Sequence, residues 1–193
     1  MATATPKPLL FLSFDIEADG PAPGLNSMLS MGFVGINEAG QFVFQFEANL
    51  KPLPDANPDS KTLQWWAHPD QAAAVDYIAQ NQRDPKEAFQ LLVQHIDKLK
   101  AEYQVRCVAW PIAYDWQWIN YYFHRFIGSN PLGHSATDIG SYAWGLLGTK
   151  THNVGKLEEF KDPKLPHTHK ALDDAKEQGM VFYNLWRKGV KAT

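Results

Sequence analysis

Only one cysteine, Cys107, occurs in 193 residues, which excludes an intrachain disulfide framework and a cysteine-based zinc finger. A reducing, cytoplasmic setting suits such a chain. No apolar run approaches the roughly 18 residues of a membrane helix, so no membrane partner is expected. The stretch Pro8 to Phe14 follows Lys7 and imitates the core of a signal peptide, but Asp15 and Glu17 interrupt it at once. Signal cores run to about 7–15 apolar residues, and a buried strand explains this stretch better. Basic residues are also few: 18 Lys and Arg stand against 21 Asp and Glu, a formal charge of −3. That balance argues against a histone-like or polybasic nucleic-acid binder. Internal repeats and low-complexity tracts are absent.

What is present is the composition of a folded domain, 45% hydrophobic and 13% aromatic, too apolar for a disordered chain. The length suits a single domain, read as residues 8–190 behind a flexible tail at 1–7. Charge is unevenly distributed. Residues 1–149 hold nine basic and fifteen acidic side chains, whereas residues 150–193 hold nine and six. The C-terminal part can therefore attract an anion that the net charge would repel.

Leu9 to Ile16 reads as a buried strand stopped by Asp19-Gly20-Pro21. Ser27 to Ile36 and Gln41 to Leu50 read as two further strands, and the short turn Glu38-Ala39-Gly40 makes them an antiparallel hairpin. The period then changes. Asp70 to Gln80 and Pro85 to Glu102 are helical, with Phe89, Leu92, Val93, Ile96 and Leu99 recurring at three- and four-residue spacing. Val105 to Ile112 returns to strand character and Asp115 to Ile127 is helical. Ser135 to Ile139 is a short strand leading into a helix through Leu147, and Ala171 to Lys188 is a closing helix. This order predicts an α/β layer fold with a mixed sheet and a hairpin edge.

Asp15 and Glu17 stand two apart at the end of the first strand, so both side chains leave the same face. Carboxylates directly after an apolar run are costly unless a cation neutralises them, and oxygen-only donors favour Mg²⁺ or Mn²⁺. A solvated strand end is the plainer alternative. Asp115 follows the strand Val105–Ile112, where it can cap the helix Trp116–Ile119 or join a site at the strand ends. His169 precedes the last helix and Asp174 lies in its first turns, where the helix dipole alone would favour an acid. The same two residues can also serve as proton acceptor and metal ligand.

Taken in order, D-x-E on a first strand, an Asp at a later strand–helix junction, and His169-x-Ala171-x-x-Asp174-Ala175 resemble the DEDDh (DnaQ-like) family of 3′–5′ exonucleases. That family has a ribonuclease H-like fold, which here implies a five-stranded mixed sheet flanked by helices. The likeness spans Asp15 to Asp174. It implies that Asp15, Glu17, Asp115 and Asp174 hold two Mg²⁺ or Mn²⁺ ions and that His169 is the general base. It further implies stepwise removal of nucleoside 5′-monophosphates from the 3′ end of single-stranded RNA or DNA, with RNA favoured by analogy to compact relatives. Several family members are dimers, so a homodimer is one assembly the resemblance allows. His167 falls out of register with the motif. Two positions depart from the family: Ala18-Asp19-Gly20 where a hydroxyl residue is usual after the Glu, and Trp110 to Tyr114 where His-Asn is usual. Neither removes a catalytic group.

Lys161, Lys164, Lys170 and Lys176 surround the His and Asp in sequence and can hold a few phosphates. Stacking on aromatic rings holds unpaired bases regardless of sequence. Trp65, Trp66, Tyr121 and Tyr122 are candidates, each with core packing as its alternative. Leu25 and Asn26 occupy the place where the family sets residues against the terminal base. Three rivals to the exonuclease reading remain. They are a catalytically silent nuclease-like binding module, a metal-dependent phosphatase of small molecules, and a zinc hydrolase built on His152, His167 and His169. The last has the wrong spacing for a helical His pair.

Overall fold

Alternation along the first strand decides which side of the sheet carries chemistry. In this computed structural model, which describes residues 6–148 and 153–191, β1 runs Leu9–Ala18. Leu10, Leu12, Phe14 and Ile16 point into one hydrophobic core, and Phe11 points into a second core on the other side. The period of two puts Ser13, Asp15 and Glu17 on the same face as Phe11. Residues 1–5 of the expected tail, and His152, lie outside the described residues.

β2 (Met28–Asn37) and β3 (Phe42–Asn49) form the expected hairpin edge, and β4 (Gln104–Ala109) and β5 (Ala136–Asp138) complete a sheet of order β3-β2-β1-β4-β5. β1 pairs antiparallel with β2 and parallel with β4. The β4 pairing stops at Ser13↔Val108, so the half of β1 that bears Asp15 and Glu17 projects past its parallel neighbour. The β1–β2 register shifts between Glu17 and Ala18, an irregularity of the kind that re-aims side chains beside sites.

The helices cover both faces. On one side α3 (Pro85–Glu102) and α4 (Ile112–Ile127) bring Phe89, Leu92, Ile96, Trp118, Ile119, Tyr122 and Phe123 into the larger core. Each fully buried side chain of this kind contributes about 1.5–3 kcal/mol. On the other side α5 (Ile139–Leu147) and α6 (Ala171–Lys191) pack through Ile139, Ala143, Val181, Phe182 and Leu185. Phe11 meets the rings of Phe182 and Trp186 at 5.1 and 4.9 Å. Two glycines bring α6 close to the sheet. A Cβ at Gly32, the β2 partner of Asp15, would collide with the backbone of Ala171 and Leu172, and one at Gly179 would sit 2.8 Å from Ser13 Cβ.

Three boundaries differ from the sequence expectation. A short helix, α1 (Ser60–Trp66), arises where none was expected, because Asp59 accepts the Thr62 N–H at 2.9 Å and caps it. The expected helix 70–80 is a 3₁₀ turn, Pro69–Gln71, followed by α2 (Ala72–Ile78). The strand expected to reach Ile112 ends at Ala109, and Pro111 becomes the N-cap of α4. Asp115 therefore lies inside the first turn and does not cap the helix.

Candidate active site

Asp15 and Glu17 leave the projecting end of β1, Asp115 comes from the first turn of α4 and Asp174 from the first turn of α6. All four line one cleft of about 370 Å³, together with His167, His169, Glu177 and Gln178. One carboxylate oxygen each from Asp15, Glu17 and Asp174 lie within 4.8 Å of one another. The depression at the other end of the parallel strands is larger, about 880 Å³, but its lining includes Lys7, Lys100 and Arg106 and none of these acids.

Hydrogen bonds fix three of the four carboxylates, Asp15, Asp115 and Asp174. Asp115 Oδ1 accepts the Ile16 N–H at 3.2 Å, while its buried Oδ2 has no partner. Asp174 accepts the backbone N–H groups of Thr168 at 2.8 Å and His169 at 3.0 Å. Asp15 Oδ1 is 3.4 Å from Gln178 Nε2. The same Gln178 amide donates to Phe14 O at 3.0 Å, and its Oε1 accepts the Trp110 N–H at 2.6 Å. His169 Nδ1 stands 4.0 Å from Glu17 Oε1.

Among the described residues, no Lys or Arg pairs with any of the four acids, and burial, joined at Asp15 and Glu17 by repulsion from the other acids, shows in their protonation. Burial first, then the charges of Asp115, Glu17, Asp174 and Glu177, push the Asp15 carboxyl well above its usual range. Burial, followed by Asp174 and Asp115, does the same to Glu17. Burial drives Asp115 up to about 8 against the pull of the Ile16 N–H. It drives Asp174 up to about 6 despite the Thr168 N–H and the charge of His167. Burial, then the neighbouring His167, holds His169 below the ordinary imidazole range. An all-oxygen donor set with an orphaned buried oxygen and a deficit of positive charge fits a divalent cation of the Mg²⁺ or Mn²⁺ kind.

The residues expected to hold bases divide sharply. Trp65 is 43% exposed and stands edge-on to His169 at 5.0 Å between ring centroids, so it faces the site. Leu25 is 74% exposed on the loop before β2. Tyr121 is half-buried, its hydroxyl accepting from Arg125 at 2.9 Å. The other three are corrections. Trp66 is buried with its indole N–H on Ala18 O at 3.0 Å, and Tyr122 is fully buried with its hydroxyl accepting the Met28 N–H at 2.7 Å. Asn26 is buried and spends its amide on Ala22 N and Asn57 O. All three are buried, with their polar atoms already bonded inside the fold.

Sequence reasoning missed Gln178, Glu177 and Gly32. Gln178 lies four residues after Asp174 and hence on the same helical face, a spacing that could have flagged it. Gly32 gave no signal of its own. Of the four lysines, Lys161 lines the cleft and pairs with Glu177 at 3.6 Å, while Lys170 sits over the Tyr77 ring at 5.0 Å.

A mixed five-stranded sheet with four acids and a histidine gathered at the projecting end of its first strand defines a DEDDh-type 3′–5′ exonuclease domain. The family model for the 3′-5′ exoribonuclease Rv2179c-like domain matches residues 11–186, and the chain belongs to that family. It is 31% identical over 180 residues to the 3′-5′ DNA exonuclease Cap18 of Escherichia coli, covering 90% of this chain and 89% of that one. The nuclease domain of 3′hExo, a DEDDh family member bound to rAMP, superposes with a TM-score of 0.67 at 14% identity over 96% of each chain. E. coli Exonuclease I in complex with a dT13 oligonucleotide gives 0.60 at 14% identity over 96% of this chain and 41% of its own. Identities this low speak to the fold alone, and the fold agrees with the expected ribonuclease H-like sheet.

Proposed function

We propose that residues 8–190 form one metal-dependent 3′–5′ exonuclease domain that hydrolyses single-stranded nucleic acid from its 3′ end and releases nucleoside 5′-monophosphates. The observation that carries this reading is the convergence of Asp15, Glu17, Asp115 and Asp174 from three separate elements onto one cleft beside His169. RNA is the favoured polymer, supported by the description of the family as exoribonucleases. DNA is the second reading, favoured by the 31% identity to a DNA exonuclease.

Asp15, Glu17 and Asp174 would hold the cations directly, with Asp115 supporting them through its free Oδ2. Divalent ions held by these carboxylates would supply positive charge beside the water, the scissile phosphate and the leaving 3′-oxygen. The chain's own groups do the rest. Gln178 and the N–H groups of Ile16, Thr168 and His169 keep the carboxylates aimed inward. His169, kept neutral by its surroundings, accepts the proton of the attacking water. Trp65 offers an exposed ring next to it for the terminal base, and Lys161 adds positive charge at the rim. We place the reaction in the cytoplasm, which the lone buried Cys107 suits. No helix among the described residues is long and apolar enough to cross a membrane.

The test is degradation of 5′-labelled single-stranded RNA and DNA of one sequence, with Mg²⁺, with Mn²⁺ and with EDTA. A ladder shortening from the 3′ end that requires the metal, and that Asp15→Asn abolishes, is expected. The ratio of the two rates settles the polymer. Intact strands under all conditions would remove the proposal, and phosphate released from small monoesters alone would favour the phosphatase.

A further inference from the structure

The exonuclease motif uses His169 and leaves His167 unused, yet the two imidazoles stand edge to face with ring centroids 4.5 Å apart. The turn between them is unusual. His169 has φ +55°, a left-handed conformation rare for a residue with a side chain, and its N–H binds one Asp174 oxygen while the Thr168 N–H binds the other. The turn thus wraps both imidazoles around a single carboxylate. His167 Nδ1 is 3.3 Å from Asp174 Oδ2 and 3.1 Å from Glu177 Oε2. One donor atom each from His167, His169 and Asp174 lie within 4.8 Å of one another.

Ligands on a tetrahedral zinc ion at about 2.0–2.2 Å stand about 3.3–3.6 Å from each other. The His167–Asp174 and His167–Glu177 separations are already close to that, and a His169 nitrogen lies within 4.8 Å of the His167 and Asp174 donors. The chemistry of the donors also differs from that of the neighbouring acids. Asp15, Glu17 and Asp174 offer oxygen alone, whereas this cluster offers two imidazole nitrogens with one or two carboxylates, a set that suits Zn²⁺, Co²⁺ or Ni²⁺ over Mg²⁺.

We infer that His167, His169 and Asp174, with Glu177 at the rim, form a second and chemically distinct cation site that takes Zn²⁺ or a similar borderline transition metal and shuts off the reaction. Binding rests on these side chains alone, and the inhibitory consequence rests on the exonuclease reading above. An ion there occupies the nitrogen lone pair of His169 that would receive the water's proton, and it draws on Asp174, which the carboxylate cluster shares. His167 is 55% exposed on its side chain, so the ion has an open approach from solvent.

Two measurements on the full chain separate the parts. First, Co²⁺ is titrated into the protein under excess Mg²⁺ and followed by its visible absorption, then displaced with Zn²⁺, for the native chain and His167→Gln. One tightly held Co²⁺ that excess Mg²⁺ does not displace is expected, with affinity lowered at least about tenfold in the variant, the usual cost of disturbing a metal's ligand shell. Equal affinity in both proteins overturns the site. Second, the rate on a single-stranded substrate with added Zn²⁺ is divided by the rate without it, for each protein. A zinc concentration for half-inhibition at least about tenfold higher in His167→Gln is expected, and equal ratios overturn the inhibitory role. If the protein degrades no strand yet holds Co²⁺ through His167, the exonuclease reading fails and the site stands.

Discussion

Replacing Asp115 by Asn should strengthen the metal-free protein while destroying its activity. Burial raises this carboxyl from 3.8 to about 8, so the folded chain holds a proton that the unfolded chain has released by pH 7. A group whose pKa rises on folding contributes fully below its unfolded value, near 4, and its contribution is lost as pH climbs through the folded value, near 8. Between those limits the cost of burying Asp115 grows by about 1.4 kcal/mol per pH unit. It reaches about 2 kcal/mol at pH 5 and about 4 kcal/mol at pH 7. The carboxamide keeps an oxygen for the Ile16 N–H but leaves a buried amide incompletely bonded, which costs about 1–3 kcal/mol. The net gain at pH 7 is therefore about 2 kcal/mol, and for a chain of this size that raises Tm by about 4–8 °C. Thermal unfolding followed by circular dichroism in EDTA, from pH 5 to pH 8, reads it directly. Added Mg²⁺ should close the gap, because a cation held at 100 times its Kd stabilises the native chain by about 2.7 kcal/mol and the variant by less. A lower Tm for Asp115→Asn in EDTA at pH 7, or a gain that does not grow with pH, would refute the electrostatic account of the cluster.

Other substitutions probe the neighbouring parts. His169→Ala should slow cleavage by about 10²–10⁴-fold without altering Tm. The native rate should hold below the ordinary imidazole pKa as pH falls, because burial keeps this ring neutral; an unaffected rate in the variant would end its role as base. Trp65→Ala should raise KM for single strands by the equivalent of about 1–3 kcal/mol, the worth of one stacked base, with Tm unchanged. Trp66→Phe, which strips Ala18 O of its indole donor, should instead lower stability by about 1 kcal/mol and leave KM alone, and the opposite pattern would reverse the two assignments. Gln178→Leu leaves the Trp110 N–H and the Phe14 carbonyl without their partner, a loss of about 1–3 kcal/mol each that urea unfolding would register as a lower midpoint.

Much of this arrangement was legible in the sequence because it depends on local pattern. The bounds of α3 match their expected residues, Pro85 to Glu102, since an Asp84 cap, a Pro at the first position and a regular apolar stripe mark both ends. The four acids and His169 were legible as an ordered set, although none was compelling alone. Helix α1 was not, because seven residues with one buried side chain show no periodic face. That gap had a consequence: neighbours on a helix point about 100° apart, and the helix through 65 and 66 sends Trp65 toward His169 and Trp66 to the interior. Gln178 and Gly32 escaped for another reason. Their roles exist only once α6 lies on β1 and β2, and the Gln178–Asp15 contact joins residues 163 apart.

The same long-range packing explains why the site is acidic and unbalanced at once. Three of the four carboxylates are oriented by neutral donors: an amide N–H for Asp115 and Asp174, a side-chain amide for Asp15. Neutral donors can aim a carboxylate, but they remove only part of the desolvation that pushes Asp15, Glu17, Asp115 and Asp174 upward, to which repulsion between acids adds at Asp15, Glu17 and Asp174. An Arg or Lys at any of these positions would relieve the strain more completely, at the expense of occupying the volume and charge that a cation needs. Among the described residues, the lysine that lines the cleft, Lys161, pairs with Glu177, outside the four. The instability left in the metal-free cluster is therefore the same quantity that makes a divalent ion bind. A change that heals it, as Asp115→Asn does, should weaken the protein's hold on metal by a comparable amount.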